Sequence, residues 1–181
     1  MTGSYCTFGE VIPQIKRLCE MGYDVYPIMS GNSYETDTRF GKSKYFIQEI
    51  EEVCGKKIMS SVKEVEPIGP KRMLDLLIIA PCTGNTIGKL ATGIYDTSVT
   101  SAAKAHLRNG CPLVLAVSTN DALSGSAKNI GSLMNTKHIY FVPMRQDDPE
   151  NKPTSVVAVF DEIPKAIESA LLEKQVQPVY R

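Results

Sequence analysis

Three short apolar runs without alternation constrain this chain more than any other feature: 74–80, 112–117 and 139–142. A strand that reads as continuously apolar is covered on both faces. Between and after these runs lie segments with helical signals, at 86–92, 96–109 and 126–134. Strands that alternate with helices at this spacing make βαβ units, whose crossovers place helices on both faces of a parallel sheet. The predicted fold class is α/β, a three-layer doubly wound parallel sheet of the Rossmann or flavodoxin type.

The flanking segments fit that frame. Val11, Ile12, Ile15, Leu18 and Cys19 recur at helical spacing, behind a predicted Thr7–Glu10 capping box and ahead of a stop at Gly22. Pro13 is expected to kink this helix, because it lacks a donor and crowds the Gly9 carbonyl. Residues 25–29 read as a strand that Pro27 keeps away from the centre of the sheet. Ser43 is the expected cap of a helix carrying Phe46, Ile47, Ile50 and Val53 and ending at Gly55. Residues 56–72 carry no clear period. A last amphipathic helix is predicted over 161–172. Residues 2–8 look like the loop after a buried strand, yet the sequence opens on that loop. The first strand is therefore expected to be missing or truncated, since a sheet built without it has a raw edge. With no repeats and no linker, 1–181 reads as a single domain.

At 181 residues the chain is long enough for one well-buried core. Its 20 basic and 20 acidic residues cancel, with no run of five like charges. That argues against nucleic acid or an anionic membrane as partner and for small molecules or other proteins. No stretch approaches the length of a spanning helix and the polar start is not a signal peptide, so a soluble, cytoplasmic protein is expected. The five cysteines are scattered without a CxxC pair, which suits reduced, mostly buried thiols rather than a disulfide framework or a metal site.

In open α/β sheets ligands bind beyond the carboxyl ends of the strands, against helix N-termini. Four loops qualify: 2–8, 30–39, 81–86 and 118–126. In the first, Gly3 and Ser4 suit close approach to a phosphate, and equally suit an ordinary turn and cap. In the third, Pro81 ends the strand, Thr83 and Asn85 offer donors and acceptors, Gly84 lets backbone come close and Thr86 can cap the next helix. Such a loop can hold a flat polar ring or a ribityl chain, or merely cap its helix. The fourth adds Ser118, Thr119, Asn120 and Asp121.

The stretch LLIIAPCTGNTIGKLATGIYD resembles the motif of the flavoprotein family that includes flavin-dependent cysteine decarboxylases and flavin prenyltransferases. TGSYCTFGEVIPQI, TDTRFGK, EPIGPKRMLD, AAKAHLRNG, STNDAL and IYFVPMRQDDPENKP together resemble one branch of that family over nearly the whole chain. The resemblance implies one component of a two-subunit oxidoreductase that forms pyridine-2,6-dicarboxylate in the mother cell of a sporulating bacterium. It implies FMN as cofactor, NAD(P) on a partner chain, a small dicarboxylate as substrate and assembly into homo-oligomers. By position, Gly3, Ser4 and Ser30 are implied near the flavin phosphate, and Pro81, Thr83 and Asn85 near its ring or ribityl chain. Thr86 and Ser118 join this cofactor set, and Asn120 matches the asparagine of the decarboxylases' substrate motif.

One departure weighs against a decarboxylase. The decarboxylases' histidine belongs in the loop GNSYETDTRFGK, which has none. His106 falls with Val99, Ala102, Ala103 and Leu107 on an apolar helical face that suits a packed or interfacial residue, and His138 lies at a strand's amino end. A non-catalytic scaffold or regulatory subunit with the same fold is the alternative, and an independent FMN-dependent decarboxylase ranks last. Arg39 is a candidate grip for a substrate carboxylate, against a solvated surface arginine, and Lys42 shares its loop. Arg145, Asp147 and Asp148 read as a loop past the last strand that closes the pocket or meets a partner.

Overall fold

The computed structural model describes residues 1–181. Three parallel strands form the centre of the sheet: β1 (Leu77–Cys82), β2 (Leu113–Thr119) and β3 (Ile139–Phe141). Leu77 pairs with Leu113, and Leu113 with Ile139 on the other side. All three predicted apolar runs are therefore strands of one sheet.

Alternation along β2 divides the interior. Leu113, Leu115 and Val117 join a core beneath α5 (Gly84–Thr92), α6 (Ser98–Leu107) and α7 (Ala127–Met134). Val114 and Ala116 point the other way, into a core with α1 (Phe8–Glu20), α3 (Ser43–Cys54) and α8 (Ile163–Leu171). Every residue of β2 up to Ser118 is buried, as a strand sandwiched between two helical layers must be. Two short helices, α2 (Gly31–Glu35) and α4 (Val62–Val65), complete the set.

Local expectations fared unevenly. Helix α1 passes through Pro13 unbroken, with that residue on its exposed face. Thr7 is its N-cap, but the Thr7 hydroxyl donates to the Ser4 carbonyl (2.8 Å) rather than accepting from the helix. The cap of α3 is Lys42; Ser43 is its first residue and donates to Asp37 through both backbone and hydroxyl. Capping boxes lie elsewhere, at Ser61–Glu64 before α4, in the stretch that had no clear period, and at Thr97–Thr100 before α6. The Val99–Leu107 face is spent inside the chain: Val99, Ala102 and Ala103 are core residues, and His106 is buried with its Nε2 3.0 Å from the Pro112 carbonyl. That face is not available to an oligomer.

The sheet also contains antiparallel pairing. Arg145, Asp147 and Asp148, read as a loop past the last strand, belong instead to a hairpin of β4 (Met144–Asp148) and β5 (Lys152–Ala158). β5 pairs antiparallel with the end of β2, Ser118 opposite Val157 and Thr119 opposite Val156. β3 holds Leu113–Leu115 and β5 holds Ser118–Thr119, so the two share one edge of β2.

On the opposite side, β1 ends the ladder. Residues 25–29 make only an isolated parallel bridge, Ile28 with Met59, where a full strand was predicted. Between them lies an apolar slot of about 90 Å³, lined by Val25–Met29, Leu77–Ala80 and residues of α1. Met1 closes one end of it. Its amine donates to the Ile28 carbonyl (2.6 Å), while the Ser30 amide donates to the Met1 carbonyl (3.0 Å). These are the two bonds of a parallel bridge between Met1 and Met29. The Thr2 amide meanwhile reaches the Pro81 carbonyl (3.2 Å). Met1 and Thr2 thus link the 25–29 segment to the end of β1.

Candidate functional site

The carboxyl ends of β1 and β2 open onto a polar cleft of about 890 Å³, and a second hollow of about 620 Å³ adjoins it. Gly3, Tyr5, Thr83 and Asn85 line both. The larger lobe also takes in Ser4, Ser118, Thr119 and Asn120, and the smaller takes in Ser30, Thr86 and Ser98. Of the nine predicted cofactor-binding residues, eight therefore face one connected space. Pro81 does not. It is buried behind the loop, where its carbonyl accepts from the Thr2 amide and from the Thr2 hydroxyl (2.8 Å).

Hydrogen bonds across the chain fix the floor. The Ser4 and Ser118 hydroxyls lie 2.8 Å apart. Thr2 Oγ1 accepts from the Thr83 amide (3.1 Å), so the first loop and the β1–α5 loop are stitched together. Tyr5 donates to the Asn32 carbonyl (2.8 Å) and stands between the two lobes. In the smaller lobe Ser30 caps α2 by accepting from the Ser33 amide, and Ser98 donates to the Met29 carbonyl (2.6 Å).

A fixed dipole in the cleft comes from α5. Thr83 is its N-cap yet makes no side-chain capping bond, and the first intrahelical bond runs from the Ile87 amide to the Thr83 carbonyl. The amides of Gly84, Asn85 and Thr86 consequently remain open toward an electron-rich group. Close packing of the two loops depends on Gly84. A Cβ there would lie 2.7 Å from Thr119 Oγ1, 2.8 Å from Asp121 Oδ1 and 2.9 Å from Ser126 Oγ. Those three side chains bind one another, since the Asp121 carboxylate accepts from Thr119 (2.6 Å) and from Ser126 (2.9 Å).

Charge in the larger lobe comes from Glu10, Asp121, Arg145, Asp147 and Lys152. Lys152 is paired with Asp147 at 2.9 Å, and this pairing raises its pKa. Arg39 is not part of the lining. It is exposed, with its guanidinium 4.9 Å from the centroid of the Phe40 ring, and of the two residues Phe40 is the one that lines the lobe. Sequence reasoning missed Tyr5, Glu10 and Lys152, whereas Arg145 and Asp147, read as part of a loop that closes the pocket or meets a partner, do line the larger lobe. The hairpin did carry a signal, the Asp148-Pro149-Glu150-Asn151 turn followed by the strand-forming Thr154–Ala158.

The residues suit a flavin. The lobes are of the size that small-molecule sites have, and the open α5 amides with Thr83, Asn85 and Ser118 match the carbonyl and hydroxyl edge of such a ligand. The cleft holds no histidine. His106 is packed in the core, where burial lowers its pKa, and His138 lies beside β3 at the amino end of the sheet.

The Flavoprotein family profile matches residues 1–168. The dipicolinate synthase B subunit of Bacillus subtilis (strain 168) is 46% identical over 179 residues, 99% of this chain and 90% of that protein. The crystal structure of the dipicolinate synthase B subunit from Bacillus halodurans C superposes with a TM-score of 0.91, at 46% identity, over 99% of this chain and 92% of that one. The FMN-dependent cysteine decarboxylase SpaF shares the fold at 19% identity, with a TM-score of 0.69 over 95% of this chain and 92% of its own. A three-layer sheet with a two-lobed cleft at its carboxyl rim, matched by profile, relative and structure alike, places this chain in the flavoprotein family.

Proposed function

We propose that the chain acts as the B subunit of a dipicolinate synthase, oxidising dihydrodipicolinate to pyridine-2,6-dicarboxylate together with the synthase's A subunit in the mother-cell cytoplasm of a sporulating bacterium. The observation that carries this reading is the full-length similarity to dipicolinate synthase together with a cleft whose free groups suit a ring and an anion. FMN is the proposed occupant. When bound, the flavin supplies the two-electron acceptance that aromatisation of the substrate ring requires. The chain's own groups bind and orient: the amides of Gly84–Thr86 and the Asn85 amide receive ring oxygens, Ser4 and Ser118 hold hydroxyl or phosphate oxygens, and Asn120 meets the substrate. NAD(P) on the A subunit is the proposed final acceptor.

Assays of the two subunits separately and mixed, with product followed by the ultraviolet absorbance of the pyridine ring, test the assignment. Activity is expected only in the mixture, and full activity of the A subunit on its own overturns it. A visible spectrum recorded on addition of FMN tests the cofactor. A perturbed and structured flavin band is expected.

One observation favours a second reading, a scaffold that supports its partner without taking part in chemistry. Asp121 is already engaged by Thr119 and Ser126, Asp147 is engaged by Lys152, and the cleft holds no histidine. An unchanged FMN spectrum decides for it. An independent decarboxylase is not favoured.

A further inference from the structure

We propose that Arg145 receives a carboxylate of the dicarboxylate substrate, an inference that rests on the reading of the cleft as a dipicolinate synthase site. Three observations meet at this residue.

The first is charge accounting within the larger lobe. Its cations are Arg145 and Lys152. Lys152 is committed to Asp147, at 2.9 Å. Arg145 forms no ion pair, and its hydrogen bond is one from Nη1 to the neighbouring Gln146 carbonyl, at 3.3 Å. The rest of its planar donor fork is free, and that fork matches a carboxylate two bonds at a time.

The second is register. Arg145 lies opposite Val157, and Val157 lies opposite Ser118. Residues directly opposite one another in neighbouring strands point to the same face of a sheet, so Arg145 and Ser118 project to the same side. Two strand spacings separate their backbones by about 10 Å. Ser118 is already joined to Ser4, so one row carries a hydroxyl pair at one end and a cation at the other. A flat ring bearing two carboxylates fits between them, with one carboxylate toward Arg145.

The third is the position of the competing cation. Arg39 stacks on Phe40 outside the lining, whereas Arg145 is part of it. Recognition of the second carboxylate accordingly moves from the loop after the 25–29 segment to the β4–β5 hairpin.

The test compares wild type, Arg145→Ala, Arg145→Lys and Arg39→Ala in the reconstituted two-subunit enzyme, each checked for an unchanged thermal melt. Arg145→Ala is expected to raise KM about 30- to 100-fold, the range of a lost charge-assisted pair, with kcat within a few-fold. Arg145→Lys recovers part of the loss, and Arg39→Ala leaves KM unchanged. A second measurement needs no turnover: calorimetric binding of pyridine-2,6-dicarboxylate and of pyridine-2-carboxylate to this chain. Wild type is expected to prefer the dicarboxylate by at least about tenfold, and Arg145→Ala to lose that preference. If the wild-type pair is active and Arg145→Ala retains both KM and preference, the assignment to Arg145 falls and the function stands. If the pair is inactive, the function falls, and the calorimetry decides separately whether Arg145 reads a carboxylate.

Discussion

Ser4 and Ser118, 114 residues apart in sequence, share a hydrogen bond of 2.8 Å at the floor of the cleft. Because Ser118 is buried, removing one hydroxyl leaves the other short of a partner in a confined place. Ser118→Ala and Ser4→Ala are each expected to cost about 1 kcal/mol in urea denaturation, and the double variant less than the sum of the two. FMN affinity, read by spectral titration, is expected to fall about fivefold in each single variant. Strict additivity in the double variant removes the coupling.

Gly84 offers a sharper contrast. In Gly84→Ala the new methyl group meets Thr119, Asp121 and Ser126 at 2.7–2.9 Å, and those side chains are held by one another. A loss of about 1–3 kcal/mol is expected from overpacking, together with weaker FMN binding. Gly88, one turn along the same helix, meets only the Asn129 amide at 3.6 Å, an ordinary contact. Gly88→Ala is expected to leave stability unchanged or raise it by up to about 1 kcal/mol through helix propensity. Denaturation of the two variants side by side checks both.

The Met1 amine sets a pH dependence in a chain that starts there. Burial pushes its pKa down from 8.0 to about 5. The unfolded chain then binds more protons than the folded one between those values, so stability is full above pH 8 and declines as pH falls toward 5. A displacement of that size is worth on the order of 4 kcal/mol. Placing further residues ahead of Met1 turns the amine into an amide, which still donates to the Ile28 carbonyl but carries no charge. That variant is expected to lose this part of the pH slope. Melting temperatures of the two forms across the same pH window provide the check; equal slopes would sink the prediction.

The thiols should sort by burial. Cys82 is buried at the end of β1 and its pKa is pushed up to about 12, so it stays protonated and out of reach at neutral pH. Cys6 is exposed on the wall of the larger lobe. Maleimide labelling followed by mass spectrometry is expected to modify Cys6 quickly and Cys82 only on unfolding. A ligand in the cleft is expected to slow modification of Cys6. Equal labelling with and without FMN or pyridine-2,6-dicarboxylate would place the ligand elsewhere.

The central strands and their helices were legible because burial on both faces leaves a mark that needs no partner to read: the runs at 74–80, 112–117 and 139–142 coincide with β1, β2 and β3 to within three residues at either end. Loops at the carboxyl rim followed from the same topology, which is why Thr83, Asn85 and Asn120 could be brought together in advance. The β4–β5 hairpin escaped because its outer strand is polar, exposed from Arg145 to Asp147 and held mainly by backbone pairing. The direction of the Arg39 side chain was not legible for a related reason. A loop's position in sequence says which rim it leaves from but not which way a long side chain turns, and here the turn is toward Phe40.

The hairpin pairs with β2 at Ser118 and Thr119, and is tied further by Thr154 to Asn120 and Leu123 and by Met144 to the C-terminal residues. One wall of the binding site therefore has its base in the interior, through Met144, Val156, Val157 and Ala158, and its polar tip outside it. Residues 145–153, exposed or nearly so, can be lengthened, shortened or recharged with little disturbance to either apolar layer. Ligand preference in this molecule is an interchangeable part, and the framework that carries it is not.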